Sequence, residues 1–118
     1  MDKEEALKKI KEGGFSLQYA DEKLKADKEV VLAAVKRDSY GTALQYADKK
    51  LKGNKEIVLI AVKNDGCALE YADDSLKKDK EIVLEALKNF GNALKYADDS
   101  LKKDKEIVLE AVKNYGSA

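Results

Sequence analysis

The chain has 118 residues, 44% hydrophobic and 39% charged, which is enough to bury the core of one domain. Its 23 basic and 23 acidic residues give a net charge of zero, which excludes the strongly basic surface typical of proteins that bind nucleic acid or anionic membranes. No apolar run approaches the roughly 18 residues of a membrane span, and the charged first residues are unlike a signal peptide, so we expect neither nucleic acid nor a membrane as a partner.

The first predicted element is a helix over residues 1–13. Asp2 is a favourable N-cap, because its carboxylate can accept a hydrogen bond from a free backbone N–H of the first turn. Glu5 and Lys9 stand where the later helices carry apolar residues. Polar residues on one face of a terminal helix are how a repeat array ends in water. The sequence therefore predicts an N-terminal capping helix at 1–13.

Glycines at positions 14, 41, 66, 91 and 116 then mark an internal repeat, with spacings of 27, 25, 25 and 25 residues. They predict repeats at 14–40, 41–65, 66–90 and 91–115, followed by the start of a truncated repeat at 116–118. The longer first spacing comes from the segment 36–40, KRDSY, which we place in a turn. A chain that stops within a repeat is expected of an excerpt from a longer array or of a deliberately shortened one.

Each repeat carries a predicted α-helix, which in the third repeat spans 79–90. Apolar residues follow helical spacing along one wide side of this helix: Ile82, Val83, Ala86, Leu87 and Phe90. Leu84 adds a second apolar direction, so the helix must be covered on more than one side. Because Glu5 and Lys9 replace Ile82 and Ala86 in the first helix, we infer that these two positions pack toward the preceding repeat.

A second, shorter arm follows each of these helices. Gly91 is expected to take the left-handed conformation that ends the first arm. Residues 92–97 can form a short helix with its alanines and Leu94 inward, and Asp98 or Asp99 can cap one further turn. The unit is therefore a helical hairpin of 25 residues. About four and a half such repeats predict an all-α fold, stacked as a short α-solenoid.

The last helix shows no polar replacement on either apolar side. Ile107, Val108 and Val112 are all apolar, so this helix is expected to expose them unless Tyr115 folds back over them. Exposed apolar side chains at one end of an array favour association of two copies. We therefore predict possible self-association, as a homodimer, through Ile107, Val108 and Val112.

The pattern D-K-E-[IV]-V-L-x-A-[VL]-K-x-x-G-x-A-L-x-Y-A resembles a short helical repeat known as a domain of unknown function, found in tandem in bacterial and protist proteins. Its full matches begin at Asp27, Asn54, Asp79 and Asp104 and extend over nearly the whole chain. The resemblance implies a helical repeat, sometimes attached to larger multidomain proteins. It carries over no catalytic or binding residues.

Four tyrosines occupy one position of the repeat and predict a ladder along the array. Tyrosine offers a large contact area at low entropic cost, so the ladder could line a groove for a protein or peptide. Packing between repeats, with the hydroxyl at the surface, explains the same repetition without a ligand and is favoured here. The predicted partner-binding residues are Tyr19, Tyr46, Tyr71 and Tyr96, with the neighbouring variable residues Gln45, Glu70 and Lys95.

The charged residues of the repeat have simpler explanations than a metal or a charged ligand. The pairs Asp73/Asp74 and Asp98/Asp99 lack the spacing of a calcium loop and are interpreted as caps that restart a helix. Lysines at 28, 55, 80 and 105, each followed by a glutamate, would alternate in charge along the stack, which a solvated face explains.

No residue combination in the chain predicts catalysis, a metal site or a cofactor. The sequence contains no histidine, so its carboxylates and Cys67 lack the usual general base. A helix start can lower the pKa of a thiol, but without a second cysteine or a base we expect Cys67 to be an ordinary, partly exposed thiol. A single cysteine also fits a reducing compartment, which predicts a cytoplasmic location.

The pattern as a whole favours a non-enzymatic repeat scaffold that takes part in protein–protein interaction, with no cofactor. Two alternatives remain open. Nearly identical repeats, no proline and a single arginine beside many lysines also fit an engineered or consensus protein with no biological ligand. The chain could equally be a fragment of a larger multidomain bacterial or protist protein.

Overall fold

The computed structural model describes residues 1–13, 16–37 and 42–115, and in these ranges all regular structure is helical. The α-helices are α1 Lys3–Lys11, α2 Glu22–Lys25, α3 Lys28–Arg37, α4 Lys55–Asn64, α5 Asp74–Lys77, α6 Lys80–Asn89 and α7 Lys105–Asn114. The 3-10 helices are η1 Leu17–Tyr19, η2 Ala43–Tyr46, η3 Leu51–Gly53, η4 Gly66–Tyr71 and η5 Gly91–Tyr96. The predicted insertion at 36–40 lies mostly, and the predicted truncated repeat at 116–118 entirely, outside the described residues.

The long helices and the 3-10 helices form two parallel layers. In the first layer α1, α3, α4, α6 and α7 each contact the next. In the second layer η1, η2, η4 and η5 do the same, and each of η4 and η5 also packs on the α-helices on either side of it. The result is an elongated stack of 47 × 26 × 17 Å. The prediction of an all-α fold of stacked tandem repeats is confirmed; the exact repeat boundaries stay a prediction.

The sequence starts each long helix in the same way. An Asp or Asn precedes it, and its side-chain oxygen accepts a hydrogen bond from the backbone N–H three residues later, at 2.9–3.2 Å. Such a cap contributes about 1 kcal/mol by satisfying a donor that the helix itself leaves free. The capping residues are Asp2, Asp27, Asn54, Asp79 and Asp104.

Each interior helix buries two different sides. In α6, Ile82 and Ala86 on one side and Val83 and Leu87 on the other are all fully buried. In α1 the residues that correspond to the second side, Ala6 and Ile10, are buried, whereas Glu5 and Lys9 are exposed. In α7 it is the first side that is buried. The side of Ile82 and Ala86 therefore faces the preceding repeat, as inferred, and the side of Val83 and Leu87 faces the following one.

The role predicted for Gly91, a left-handed helix terminator, is wrong. Among the described glycines only Gly13 has a positive φ, and α4 and α6 end on the extended residues Asp65 and Phe90 instead. A Cβ at Gly91 would lie 2.7 Å from the carbonyl oxygen of Ala111 in the next long helix. Glycine is required there because the backbone of one repeat approaches that of the next too closely for a side chain.

The short helix predicted for the second arm is a 3-10 helix. With three residues per turn, Gly66 and Leu69 of η4 fall on one side, and both are buried. Backbone hydrogen bonds then tie the turn that follows to its neighbour. The N–H of Asp73 donates to the carbonyl of Lys52 at 2.9 Å, and Asp98 bonds Lys77 in the same way. Each repeat is thus joined to the next through the backbone as well as through side chains.

Candidate functional site

Ion pairs cross every joint between long helices. A lysine in the first turn of one helix bridges the N-cap aspartate and the first-turn glutamate of the next helix. Lys55 lies 3.1 Å from Asp79 and 2.8 Å from Glu81, and Lys80 pairs with Asp104 and Glu106 at 3.2 and 2.8 Å. The lysine and glutamate columns lie on a solvated face, as expected from the sequence, and there they form ion pairs between adjacent repeats.

The α3–α4 joint has one ion pair fewer. Lys28 bonds Glu56 at 3.0 Å, but the cap beside it is Asn54, which has no charge to offer. At the next joint both partners are charged. Burial by itself would raise the pKa of the Asp79 carboxyl, yet hydrogen bonds from Lys55 and from the N–H of Ile82 outweigh it and hold this pKa below its usual range. The bond to Glu81, followed by that to Asp79, in turn raises the pKa of Lys55.

An asparagine at the end of α4 and of α6 also spans a joint, which the sequence analysis did not detect. The side-chain N–H of Asn64 donates to the carbonyl oxygen of Val35 at 2.7 Å, across to the end of α3. The side-chain oxygen of Asn89 accepts from the N–H of Gly66 at 2.7 Å. A sequence signal exists, since the same position holds glutamate in α1 and arginine in α3. These bonds add an uncharged contact to the ion pairs of the joint.

The predicted tyrosine ladder lies along the 3-10 layer. Tyr46, Tyr71 and Tyr96 are half-buried and pack on the core, while Tyr19 is 75% exposed. Burial raises the pKa of Tyr71, with smaller contributions from Glu70 and from the two tyrosines beside it. Three of the four rings thus form one row of neighbours, and their packing on the core supports the structural explanation of the repetition.

The variable residues beside the tyrosines are exposed. Gln45, Glu70 and Lys95 all face solvent, and the Nζ of Lys95 lies 5.1 Å from the centre of the Tyr96 ring. The row of Tyr46, Tyr71 and Tyr96 with these three residues is called the tyrosine row below. Whether it binds a partner stays a prediction.

A second surface, which the sequence analysis missed, lies on the outer side of the α layer. Positions 81, 84 and 88 of the repeat share one helix face, so each long helix presents a glutamate, a leucine and a lysine there. Side by side, the helices form three rows across the array. We call this the outer face; its leucines are Leu7, Leu32, Leu59, Leu84 and Leu109 and its lysines Lys11, Lys36, Lys63, Lys88 and Lys113.

The outer face contains two grooves between neighbouring helices. The groove between α1 and α3 has a volume of about 460 Å³ and is lined by Leu7, Leu32 and Ala33, together with Glu29 and three basic side chains. The groove between α6 and α7 has a volume of about 530 Å³, and its two leucines are accompanied by Glu106, Glu110 and three lysines. The sequence indicates this difference at a single position of the repeat. The position is apolar in α3 and α4, as Ala33 and Ile60, and charged in the other long helices, as Lys8, Glu85 and Glu110.

The far side of α7 is open, although not through all the residues predicted. Val112 is 68% exposed and Val108 is half-buried. The expected exposure of Ile107 is wrong: it is fully buried, because it lies on the side that faces α6. Tyr115 is itself 68% exposed and leaves Val112 open.

The first aspartate of each acidic pair is a cap: Asp73 caps α5, and Asp98 caps the turn that follows η5. The carboxylate of Asp73 accepts from the N–H and the hydroxyl of Ser75 at 3.0 and 2.7 Å, and Asp98 does the same with Ser100. Those bonds hold the pKa of both aspartates below its usual range. No group of three or more metal-binding side chains comes together in the described part of the chain.

Cys67 is a partly buried thiol next to the start of η4. Burial raises its pKa, and the neighbouring carboxylate of Asp65 raises it further. The effect is opposite to the lowering that a helix start can produce, since Asp65 accepts the hydrogen bond from the Cys67 N–H. The thiol is therefore protonated near neutral pH and a weak nucleophile.

Comparison with known proteins gives one match. A family model described as Domain of unknown function (DUF4116) matches the chain three times, at residues 2–52, 38–77 and 79–118. No curated protein and no solved structure matches it. Within the residues that the structure describes, no helix has the length and apolar character needed to cross a bilayer.

Proposed function

Since the chain belongs to the family of domains of unknown function DUF4116, in tandem copies, we propose that it is a non-enzymatic repeat scaffold whose outer face binds a protein partner. The partner that fits best is an amphipathic helix with acidic flanks. The observation that carries the proposal is the groove between α1 and α3, where an apolar floor lies beside Lys11 and Lys36, neither of which forms an ion pair with a described residue.

The apolar floor supports a protein rather than a polar ligand. Leu7, Leu32 and Ala33 are only partly covered by the rest of the chain. The groove volume of about 460 Å³ lies within the range typical of binding clefts. Apolar side chains spaced by three or four residues on a partner helix would enter such a groove.

The charges around the groove indicate which residues should flank the apolar side of the partner helix. From α3 onward the glutamates of the outer face are paired with lysines; Glu29, which lines the α1–α3 groove, pairs with Lys3 at 2.9 Å and Glu56 with Lys28 at 3.0 Å. In the lysine row, Lys88 bonds Glu85, whereas Lys11 and Lys36 form no ion pair with any described residue. The end of the α1–α3 groove next to Lys11, Lys36 and Arg37 therefore favours carboxylates.

Support for the absence of catalysis is chemical. The chain has no histidine, its only cysteine has a raised pKa, and the lowered pKa values of its aspartates come from caps and ion pairs between repeats. Perturbed groups with such structural causes do not need an active site to explain them. The cytoplasmic location stays a prediction.

The test is a titration of the isotopically labelled chain with a synthetic acidic amphipathic helix, followed by amide NMR shifts. The peptide carries leucines at helical spacing with glutamates on both flanks, and a second peptide carries lysines in their place. We expect only the acidic peptide to shift the amides of Leu32, Ala33 and Lys36. Equal shifts with both peptides, or none with either, would contradict the proposal.

A matched pair of variants sharpens this test. K11E/K36E reverses two charges at the groove. It is expected to lower the affinity for the acidic peptide by roughly 100-fold, about 1.4 kcal/mol per charge. K23E/K49E makes the same change in net charge at exposed lysines of the other layer and should leave binding unaltered. If the two variants weaken binding equally, the attraction is non-specific.

The tyrosine row is the second candidate surface for the same function. It is favoured by the repetition of a half-buried tyrosine along the 3-10 layer and by the exposed, variable residues Gln45, Glu70 and Lys95 beside the rings. The titration separates the two surfaces. Shifts confined to Tyr46, Tyr71 and Tyr96 would assign binding to the tyrosine row and remove it from the outer face.

A further inference from the structure

The open side of α7, which we call the α7 face, is a complete half of a joint. It consists of Lys105, Val108, Val112 and Tyr115, and no described residue covers it. A hollow of about 380 Å³ next to it is lined by Gly91, Leu94, Ala111, Val112 and Tyr115. Exposure of Val112 and Tyr115 at 68% each contrasts with the full burial of Val62 and Leu87 on the corresponding sides of α4 and α6.

The interior joints show what covers such a side. Against Val83 and Leu87 of α6 lies the side of α7 that carries Ile107 and Ala111, both buried. The two backbones approach closely at this alanine, since its carbonyl oxygen lies 2.7 Å from the position that a Cβ on Gly91 would take. A β-branched residue and an alanine four positions apart thus form the apolar half of the joint.

Charge complements the apolar contact. Lys80, the counterpart of Lys105 in α6, binds an N-cap aspartate and a glutamate two residues later. Lys3 and Lys55 do the same at their own joints. Lys105 forms no ion pair within the described residues. A helix that begins with Asp-x-Glu would therefore give Lys105 the two carboxylates that every equivalent lysine but Lys28 has.

The chain's own first helix does not meet these requirements. Asp2 and Glu4 have the right charge and position, but Glu5 and Lys9 replace the β-branched residue and the alanine. Seating α1 of a second copy on the α7 face would bury a carboxylate and an ammonium against Val108 and Val112. A second copy's α7 offers branched valines and a lysine, without the alanine or the carboxylates.

We propose that the α7 face binds a helix of another repeat of this type, starting with Asp-x-Glu and carrying a β-branched residue and an alanine four apart on its inner side. Glu5 and Lys9 prevent α1 of a second copy from taking that place. The face therefore accepts further repeats of the family, but not this chain's own first helix. The inference rests on the joints and is independent of any partner on the outer face.

The test converts α1 into the helix that the face requires. In the full-length variant E5I/K9A the chain carries both halves of a joint, so copies should associate head to tail. Sedimentation velocity over a concentration series should show oligomers that grow with concentration, with an association constant roughly 100-fold above that of the unmodified chain. Adding V112K to the same variant should return it to the unmodified state, and K105E should weaken it about tenfold.

Two controls keep the outcome decisive. E22I/K23A makes the same two changes, Glu to Ile and Lys to Ala, at exposed residues of α2 that belong to no joint between long helices, so it should not associate. Circular dichroism and thermal unfolding of each variant establish that α1 is folded. A folded E5I/K9A that stays monomeric would overturn the proposal, as would equal association of E22I/K23A. Dimers of the unmodified chain that V112K abolishes would assign the face to a second copy instead.

Discussion

The helices α1 and α7 lie at opposite ends of the stack, and each is covered on one side only. The residues on their open sides differ in polarity. α1 exposes Glu5 and Lys9, whereas α7 exposes Val112 and half of Val108. The rest of the two helices follows the same pattern of cap, acidic first turn and lysines. At each end one pair of positions, Glu5 and Lys9 in α1 and Val108 and Val112 in α7, therefore decides whether the helix closes the stack or offers a place for another helix.

The largest effect is expected from a substitution that forces two adjacent repeats apart where their backbones are in contact. In G66A the new Cβ would collide with the carbonyl oxygen of Ala86, and with the Cβ of Phe90 at 2.9 Å. Helix backbone cannot move aside cheaply, so we expect a loss of about 3 kcal/mol in the free energy of unfolding, measured by urea denaturation. G53A is the control, since its Cβ would meet only Asp73 at 3.7 Å, and should change stability by less than about 1 kcal/mol. Equal effects would show that the close approach does not limit the joint.

A second prediction compares one substitution on a covered and on an open side. Val62 is fully buried, and Val112, at the equivalent position of α7, is 68% exposed. V62A should lower the free energy of unfolding by about 2 kcal/mol, because it removes two buried methyl groups and leaves a cavity. V112A should change it by less than about 0.5 kcal/mol. Chemical denaturation of both variants gives the measurement, and a loss for V112A as large as for V62A would mean that the α7 face is covered in solution.

The smallest effect concerns the joint that lacks one ion pair. N54D restores an N-cap aspartate beside Lys28 and should add at most about 0.5 kcal/mol near neutral pH. The pKa values of Asp27, Asp79 and Asp104 are lowered in the folded chain, so the stability they contribute is present above the unfolded pKa and is lost as pH falls through the folded one.

The gain from N54D should therefore disappear below about pH 4, together with part of the stability of the unmodified chain. Urea denaturation of both proteins at a series of pH values provides the measurement. A gain that persists in acid would show that it arises from capping and not from the ion pair with Lys28.

Most of the fold was predictable because each level of the sequence indicates the same structure. The spacing of glycines gave the repeat, the aspartates gave the helix starts, and Glu5 and Lys9 identified which side of a helix faces which neighbour. The role of the glycines was not predictable. Glycine is favoured both at the end of a helix and where two backbones approach closely, so the residue type does not tell the two roles apart. Only the position of Ala111 relative to Gly91 shows that the second role applies.

The candidate surfaces were harder to predict, since they depend on which residues of different repeats become neighbours. The tyrosine row follows from one repeated residue and was found. The outer groove depends on Ala33 and Ile60, which change the character of the face only because Leu32 and Leu59 lie beside them. Ile107 is buried for the same reason as Ile82, because this position of the repeat faces the preceding helix. Applied to the last helix, that rule predicts the burial of Ile107.

The missing carboxylate at Asn54 has a consequence for how the stack comes apart. In a linear array each unit is held only by its nearest neighbours, so the chain behaves as a row of coupled segments. The α3–α4 coupling lacks the second ion pair that Lys3, Lys55 and Lys80 make. Opening is therefore expected to start there, and the segment from α1 to α3 should separate from the segment from α4 to α7 before either one unravels.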